Sequence, residues 1–160
     1  MPTTRRLIME HVCYHLIVRG NQKQTVFRGE DDYLTYIALL KRFKRKYQFR
    51  VYAYCLMPNH VHLLGETEMP ALLSKFMHGL NRNYTSYFNN KYEKVGHLWQ
   101  GRFKSKIITR DKYLLDCINY IELNPVRSGL ADMPLQYKWN SYHARISNVK
   151  DGVIDEWSLG

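Results

Sequence analysis

His60 and His62 stand two residues apart in the run NHVHLLG. On a strand, side chains alternate between faces, so both imidazoles point one way while Val61 and Leu63 point the other. Two imidazoles held side by side are a ready pair of ligands for a divalent metal. The alternative is two polar side chains on a half-exposed strand, since a motif this short also matches by accident. Tyr120 and Asn124 form a second constellation, four residues apart, the spacing that puts two side chains on one helix face. Leu114, Ile118 and Ile121 mark the core side of that helix, and Tyr120 lies about 200° around from Ile118. A phenol and a carboxamide then project together from an anchored helix. The alternative is an exposed tyrosine and an asparagine that ends the helix before Pro125. The chain has 13 tyrosines, and by position alone Tyr113, on nearly the same stripe, is an equal candidate nucleophile.

These groups need a frame to hold them. Residues 11–19, rich in Val, Leu, Ile and Tyr, read as a strand that ends at the turn signal Gly20-Asn21. Asp31 or Asp32 can cap a helix running to about residue 47, with Leu34, Ile37, Leu40, Phe43 and Tyr47 at helical spacing. Its other side carries Lys41, Arg42, Lys44, Arg45 and Lys46. Residues 49–57 and 60–65 read as two strands of a hairpin turned at Pro58-Asn59. A helix is predicted over 67–90, a strand over 98–109, and a helix capped by Asp111 that ends near Asn124, where Pro125 cannot continue it comfortably. This order predicts an α+β fold: a ferredoxin-like antiparallel sheet with packed helices, in a single domain. Residues 1–146 form that domain, and 147–160 form a C-terminal tail with no strong pattern and no requirement for order.

The bulk composition narrows the function classes. The 160 residues carry 24 Lys plus Arg against 14 Asp plus Glu, a net charge of +10. Such a surplus attracts polyanions, nucleic acid first and an anionic membrane second. No apolar run approaches the ~18 residues that span a bilayer, and the first residues lack a secretory pattern. Cys13, Cys55 and Cys117 are far apart and odd in number, which indicates buried free thiols and no thiolate zinc site. The expected setting is cytoplasmic.

Four stretches, in order, carry a resemblance: YHLIVRGN at 14–21, YAYCLMPNHVHLL at 52–64, GHLWQGRFKS at 96–105 and YIELNPVRSGL at 120–130. Together they resemble the single-tyrosine HUH transposases of the IS200-like superfamily, HUH meaning His, a hydrophobic residue, then His. The REP-associated tyrosine transposases are the most similar branch. The resemblance spans roughly residues 10 to 145. It implies metal ligands at His60 and His62, a nucleophile at Tyr120 in preference to Tyr113, and a third ligand at Asn124. It also implies a prokaryotic, nucleoid-associated protein that acts on single-stranded DNA beside imperfect palindromes folded as hairpins. Oligomeric state, monomer or homodimer, stays open.

The implied reaction is transesterification: the tyrosine oxygen attacks phosphorus, leaving a free 3′ hydroxyl and a 5′-phosphotyrosine. The link conserves the bond energy, which fits the absence of a Walker-type loop. A phenol with a pKa of about 10 is a poor nucleophile unaided. Mg²⁺ or Mn²⁺ on two imidazoles and a carboxamide oxygen would polarise the phosphate. Between residues 82 and 106, bases and aromatics interleave, as in single-strand sites, although about half of such aromatics are packing residues. The candidate DNA contacts are Arg19, Arg82, Arg102, Lys104, Lys106 and Arg127. The competing reading is a non-catalytic single-stranded nucleic-acid-binding domain, which has no need of the set His60, His62, Tyr120 and Asn124.

Overall fold

The structure, a computed structural model, describes residues 12–109 and 112–156. Four strands, β1 (Val12–Arg19), β2 (Phe49–Met57), β3 (His60–Thr67) and β4 (Lys104–Thr109), form one sheet in the order β2-β3-β1-β4. Every neighbouring pair is antiparallel. Helix α1 (Glu30–Lys46) joins β1 to β2, and α2 (Leu73–Tyr92) joins β3 to β4. This is the ferredoxin-like arrangement expected from the element order. Helices α3 (Lys112–Glu122), α4 (Asn124–Arg127) and α5 (Tyr142–Ser147) follow β4.

Strand alternation sorts the sheet into two buried faces. Tyr14, Leu16, Val18, Leu56, Val61 and Leu63 pack under α1 and α2, against Tyr36, Leu40, Phe76, Leu80 and Tyr84. Cys13, Ala53, Cys55, Met57 and Leu64 face the other way and pack against Leu114, Cys117, Ile118 and Ile121 of α3. All three cysteines are buried and none is in a disulfide. His15, His60 and His62 share the α3 face through the same alternation. A bulge at Tyr52 shifts the β2–β3 register, so Val51 pairs with Gly65 and Ala53 with Leu64. Gly65 is required there: a Cβ at this position would lie 1.9 Å from Arg50 O.

Several boundaries differ from expectation. Helix α1 begins at Glu30, with Gly29 at its N-cap. Asp32 supports that end from inside the helix, its Oδ2 accepting the N–H groups of Arg28 and Gly29 at 2.8 and 3.3 Å. Lys44, expected on an exposed basic side, is buried, paired with Asp155 at 2.7 Å and donating to Val153 O. Helix α2 starts at Leu73 because β3 runs on to Thr67 and Pro70 opens a 3-10 turn. The strand expected over 98–109 begins only at Lys104. Before it the chain kinks at Gly101 (φ 63°), a left-handed conformation suited to glycine, and only Trp99 bridges to Gly20. Helix α3 ends at Glu122, and Pro125 sits in the first turn of α4, where its missing N–H costs nothing. The expected cap Asp111 lies outside the described residues.

The segment after Ser147, patternless in sequence, docks on the β2 edge. Asp155 N donates to Val51 O at 2.7 Å, Val51 N donates to Asp155 Oδ2 at 2.9 Å, and Val153 is buried in the core. The chain from Trp139 to Ser141 covers the same edge further along, through Leu56 N to Trp139 O and Ser141 N to Tyr54 O.

Candidate active site

The tight turn at Pro58 and Asn59 sets where β3 begins. It is held by Val26 N and Phe27 N donating to Pro58 O, and by Gly20 N donating to Asn59 O. His60 follows at once, and His62 lies one alternation further along the α3 face. Their rings are 5.0 Å apart. Asn59 Oδ1 lies 2.7 Å from His60 Nδ1, and His15 Nε2 lies 2.9 Å from His62 Nδ1. Each Nδ1 is thus engaged, so both imidazoles keep Nε2 for another partner. For His62 that partner is Asn124, whose amide nitrogen lies 2.7 Å from Nε2.

Burial pushes all three histidines down. His62, also near His60, His15, Arg19 and Arg127, falls to about 3. His60, near Arg19, and His15, near Lys106, each fall to about 4. Neutral imidazoles are the form that binds a cation.

Asn124 reaches this place because α3 packs through Leu114, Ile118 and Ile121 and the chain then turns into α4. Ser128 Oγ contacts Asn124 Oδ1 at 3.3 Å. A half-turn of the amide would present Oδ1 to His62's neighbourhood, and a hydroxyl satisfies either orientation. Two ligands at ~2.1 Å and at right angles on an octahedral ion lie about 3 Å apart, close to the 2.7 Å seen between His62 and Asn124. Imidazole nitrogen and carboxamide oxygen together suit a divalent cation that accepts both donor types. Among the described residues no group of three or more His, Cys, Asp or Glu is placed to hold a metal ion.

Tyr120 is 51% exposed, beside His15 and His62. Its ring meets His15 and His62 edge-on at 6.1 and 6.3 Å. Arg127 lies 4.0 Å over the ring and donates to Tyr120 O at 2.6 Å, which holds the side chain in place. Tyr113, the alternative by position, is an exposed residue two turns earlier on α3. Behind the site, Glu122 is buried, takes Ser141 Oγ–H, and pairs with Arg145 at 3.1 Å. That ties α3 to the β2 edge.

The candidate DNA contacts separate into two groups. Arg19 pairs across the sheet with His60, Lys106 with His15 and Lys104 with Ile17. Arg19, Arg102 and Lys104 line a 400 Å³ hollow that includes His60. Arg127 completes this side from α4. Arg82 is not brought to it, because α2 lies on the opposite layer of the sheet. Several other interleaved residues have structural partners. Tyr84 is core, while Tyr87, Tyr92 and Lys91 all donate to the buried Asp32 carboxylate. His15 was missed by sequence reasoning. Its phase on β1 was legible, but not that β1 lies beside β3.

Sequence comparison identifies the family. The chain matches the IS200-like transposase family over residues 8–124, and it belongs to that family. It is accordingly a DNA transposase. It is 28% identical over 124 residues, 70% of either chain, to a REP-associated tyrosine transposase of Haemophilus influenzae. Among solved structures it is similar to a REP-associated tyrosine transposase bound to a REP hairpin. The TM-score is 0.75 at 19% identity, covering 100% of this chain and 93% of that one. A Deinococcus radiodurans transposase matches with a TM-score of 0.50 at 23% identity, covering 75% and 95%. At these identities the structural likenesses speak to the fold.

Proposed function

We propose that the chain nicks and rejoins single-stranded DNA beside hairpins through a covalent bond to Tyr120. The observation that carries this is the convergence of Tyr120, His62 and Asn124 on one face, beside a cationic hollow. His60, His62 and Asn124 would hold a divalent cation, Mg²⁺ or Mn²⁺. Bound there, it would polarise the phosphate oxygens and neutralise charge developing on them. Tyr120 Oη attacks phosphorus, the P–O3′ bond breaks, the phenolic proton passes to solvent, and the 3′ oxygen takes a proton to leave as hydroxyl. Rejoining is the reverse attack by a 3′ hydroxyl on the phosphotyrosine. Arg127 fixes the Tyr120 ring for that approach, and Arg19, Lys104 and Lys106 screen the backbone charge. The relative solved with a REP hairpin supports a hairpin substrate. Among the described residues no helix is long and apolar enough to cross a membrane. We place the reaction where chromosomal DNA is found, in the prokaryotic cytoplasm.

The test uses a labelled oligonucleotide carrying a repeat hairpin, with Mn²⁺, run on a denaturing protein gel. Wild type is expected to give a DNA-linked band and Tyr120→Phe none, with DNA affinity nearly unchanged. An adduct in the variant would move the nucleophile elsewhere. Tight binding without an adduct in either protein would leave a non-catalytic binding domain.

A further inference from the structure

Glu122, the last residue of α3, sits where a carboxylate costs stability. It is buried, and taking a charge out of water is expensive. The C-terminal end of a helix also repels negative charge. Exchanging a buried ion pair for apolar residues of similar volume is often neutral or stabilising. What the pair supplies here is direction. Arg145 Nε reaches both carboxylate oxygens, at 3.2 and 3.1 Å, and the same guanidinium donates to Tyr52 O of β2. Ser141 Oγ donates to Glu122 Oε2 and accepts from Tyr54 N at 3.0 Å, while Ser141 N donates to Tyr54 O. Asn140 Nδ2 donates to the Glu122 carbonyl at 3.4 Å. Side chain and main chain of Glu122 are thus both held by residues 140–145, which are themselves bonded to β2.

The apolar stripe of α3, Leu114, Ile118 and Ile121, adheres to the sheet without direction, since burial of apolar area is non-directional. Such a stripe tolerates a small roll or slide of the helix. Arg127 holds the Tyr120 ring, but it follows only seven residues later and moves with the helix, so it does not locate Tyr120 on the sheet. Asn124 touches His62, but in the proposed function its amide turns to a cation. The tie through Glu122 does not depend on the cation. Tyr120 lies two residues before Glu122 and about 200° around the helix, and Asn124 lies two residues after it. A roll of α3 that frees Glu122 therefore displaces both. We propose that Glu122 and Arg145 are positioning residues, whose ion pair sets the register of α3 on the sheet and with it the approach of Tyr120 to the phosphate. This role rests on the proposed reading of Tyr120 and extends it.

The test compares wild type with Glu122→Leu/Arg145→Met, which removes one charge of each sign and leaves the net charge and the apolar stripe intact. Adduct formation on the hairpin oligonucleotide with Mn²⁺ is followed at saturating DNA, beside DNA affinity and the thermal midpoint. A misplacement of about 1 Å costs on the order of 100-fold in rate, so the double variant should form adduct about 100-fold more slowly. Its DNA affinity and midpoint should stay close to those of wild type. Glu122→Gln keeps an acceptor for Arg145 and can donate to Ser141 Oγ, so it should recover most of the rate. Arg145→Lys keeps the charge but lacks the fork that reaches Glu122 and Tyr52 O together. It should fall between the two, and it serves if the double variant does not fold. Amide exchange over residues 118–124, measured without DNA or metal, should quicken in the double variant. An unchanged adduct rate would overturn the role. So would a fall in midpoint alone, the signature of a merely structural pair, or a rate loss matched by an equal loss of DNA affinity. An adduct that ignores the pair refutes only the register role. No adduct in any sample refutes the reading of Tyr120, and amide exchange then decides alone whether the pair holds α3.

Discussion

Replacing His15 with alanine removes the group that engages His62 Nδ1 at 2.9 Å. Both rings are buried, so the group that loses its acceptor lies inside the protein. A buried donor left unsatisfied costs about 1–3 kcal/mol. Part of that cost appears when His62 must present Nε2 in a fixed orientation. Loss of a partner behind a metal ligand typically weakens metal binding by ~10–100-fold, which corresponds to about 1.4–2.7 kcal/mol. The two routes agree in size. The assay is calorimetric titration of DNA-free protein with Mn²⁺, beside thermal midpoints measured without metal. His15→Ala should bind Mn²⁺ at least tenfold more weakly, and His15→Gln, which restores an acceptor oxygen, should recover most of the loss. The midpoint falls in His15→Ala whatever the metal does, because the substitution opens a cavity under α3. Unchanged Mn²⁺ affinity in a folded His15→Ala would refute the claim that His15 sets the His62 tautomer.

Other perturbations follow from the same geometry. Asp32 is fully buried and accepts from Tyr87, Lys91 and Tyr92. Asp32→Asn should cost about 1–3 kcal/mol by urea unfolding, because the Tyr87 and Tyr92 hydroxyls and the solvent-accessible Lys91 lose a charged acceptor. Burial raises the Asp32 pKa, but hydrogen bonds from Tyr92, Lys91, the Arg28 N–H and Tyr87 outweigh it and hold the group at about 2. Its folded value lies below its unfolded one, so its contribution is complete above about pH 4 and is lost as pH falls toward 2. Acid unfolding of wild type should steepen in that window, and in Asp32→Asn it should not. Gly65→Ala places a Cβ 1.9 Å from Arg50 O and should cost at least ~2 kcal/mol or abolish soluble expression, since backbone must move at the bulge. Lys104→Ala and Lys106→Ala should each reduce the salt slope of single-strand DNA binding by ~0.7; an unchanged slope would remove those residues from the DNA path.

Local signals located the elements well where one residue type dominates the chemistry. Pro58 and Asn59 set the hairpin turn, and alternation set the faces of β1 and β3. Boundaries failed where a partner far along the chain decides them. The strand expected from residue 98 starts at Lys104 because Gly101 bends the chain and only Trp99 finds a bridge. The tail had no periodic pattern to read, since one buried valine and a few backbone bonds to β2 are what hold it.

By itself the sequence determined that His60 and His62 share a face if they lie on a strand, and that Tyr120 and Asn124 share one if they lie on a helix. Those are consequences of the strand and helix repeats and need no tertiary knowledge. Only the tertiary structure decided that the two faces meet. The sheet order β2-β3-β1-β4 brings β1 beside β3, and the apolar stripe of α3 packs on that same side. His15, Asn124 and His62 then become neighbours across separations of 47 and 62 residues. The same topology sends Arg82 to a different surface. Which cations share a surface depends on how the layers stack, because burial of the two apolar faces, not the order of charges along the chain, sets that stacking.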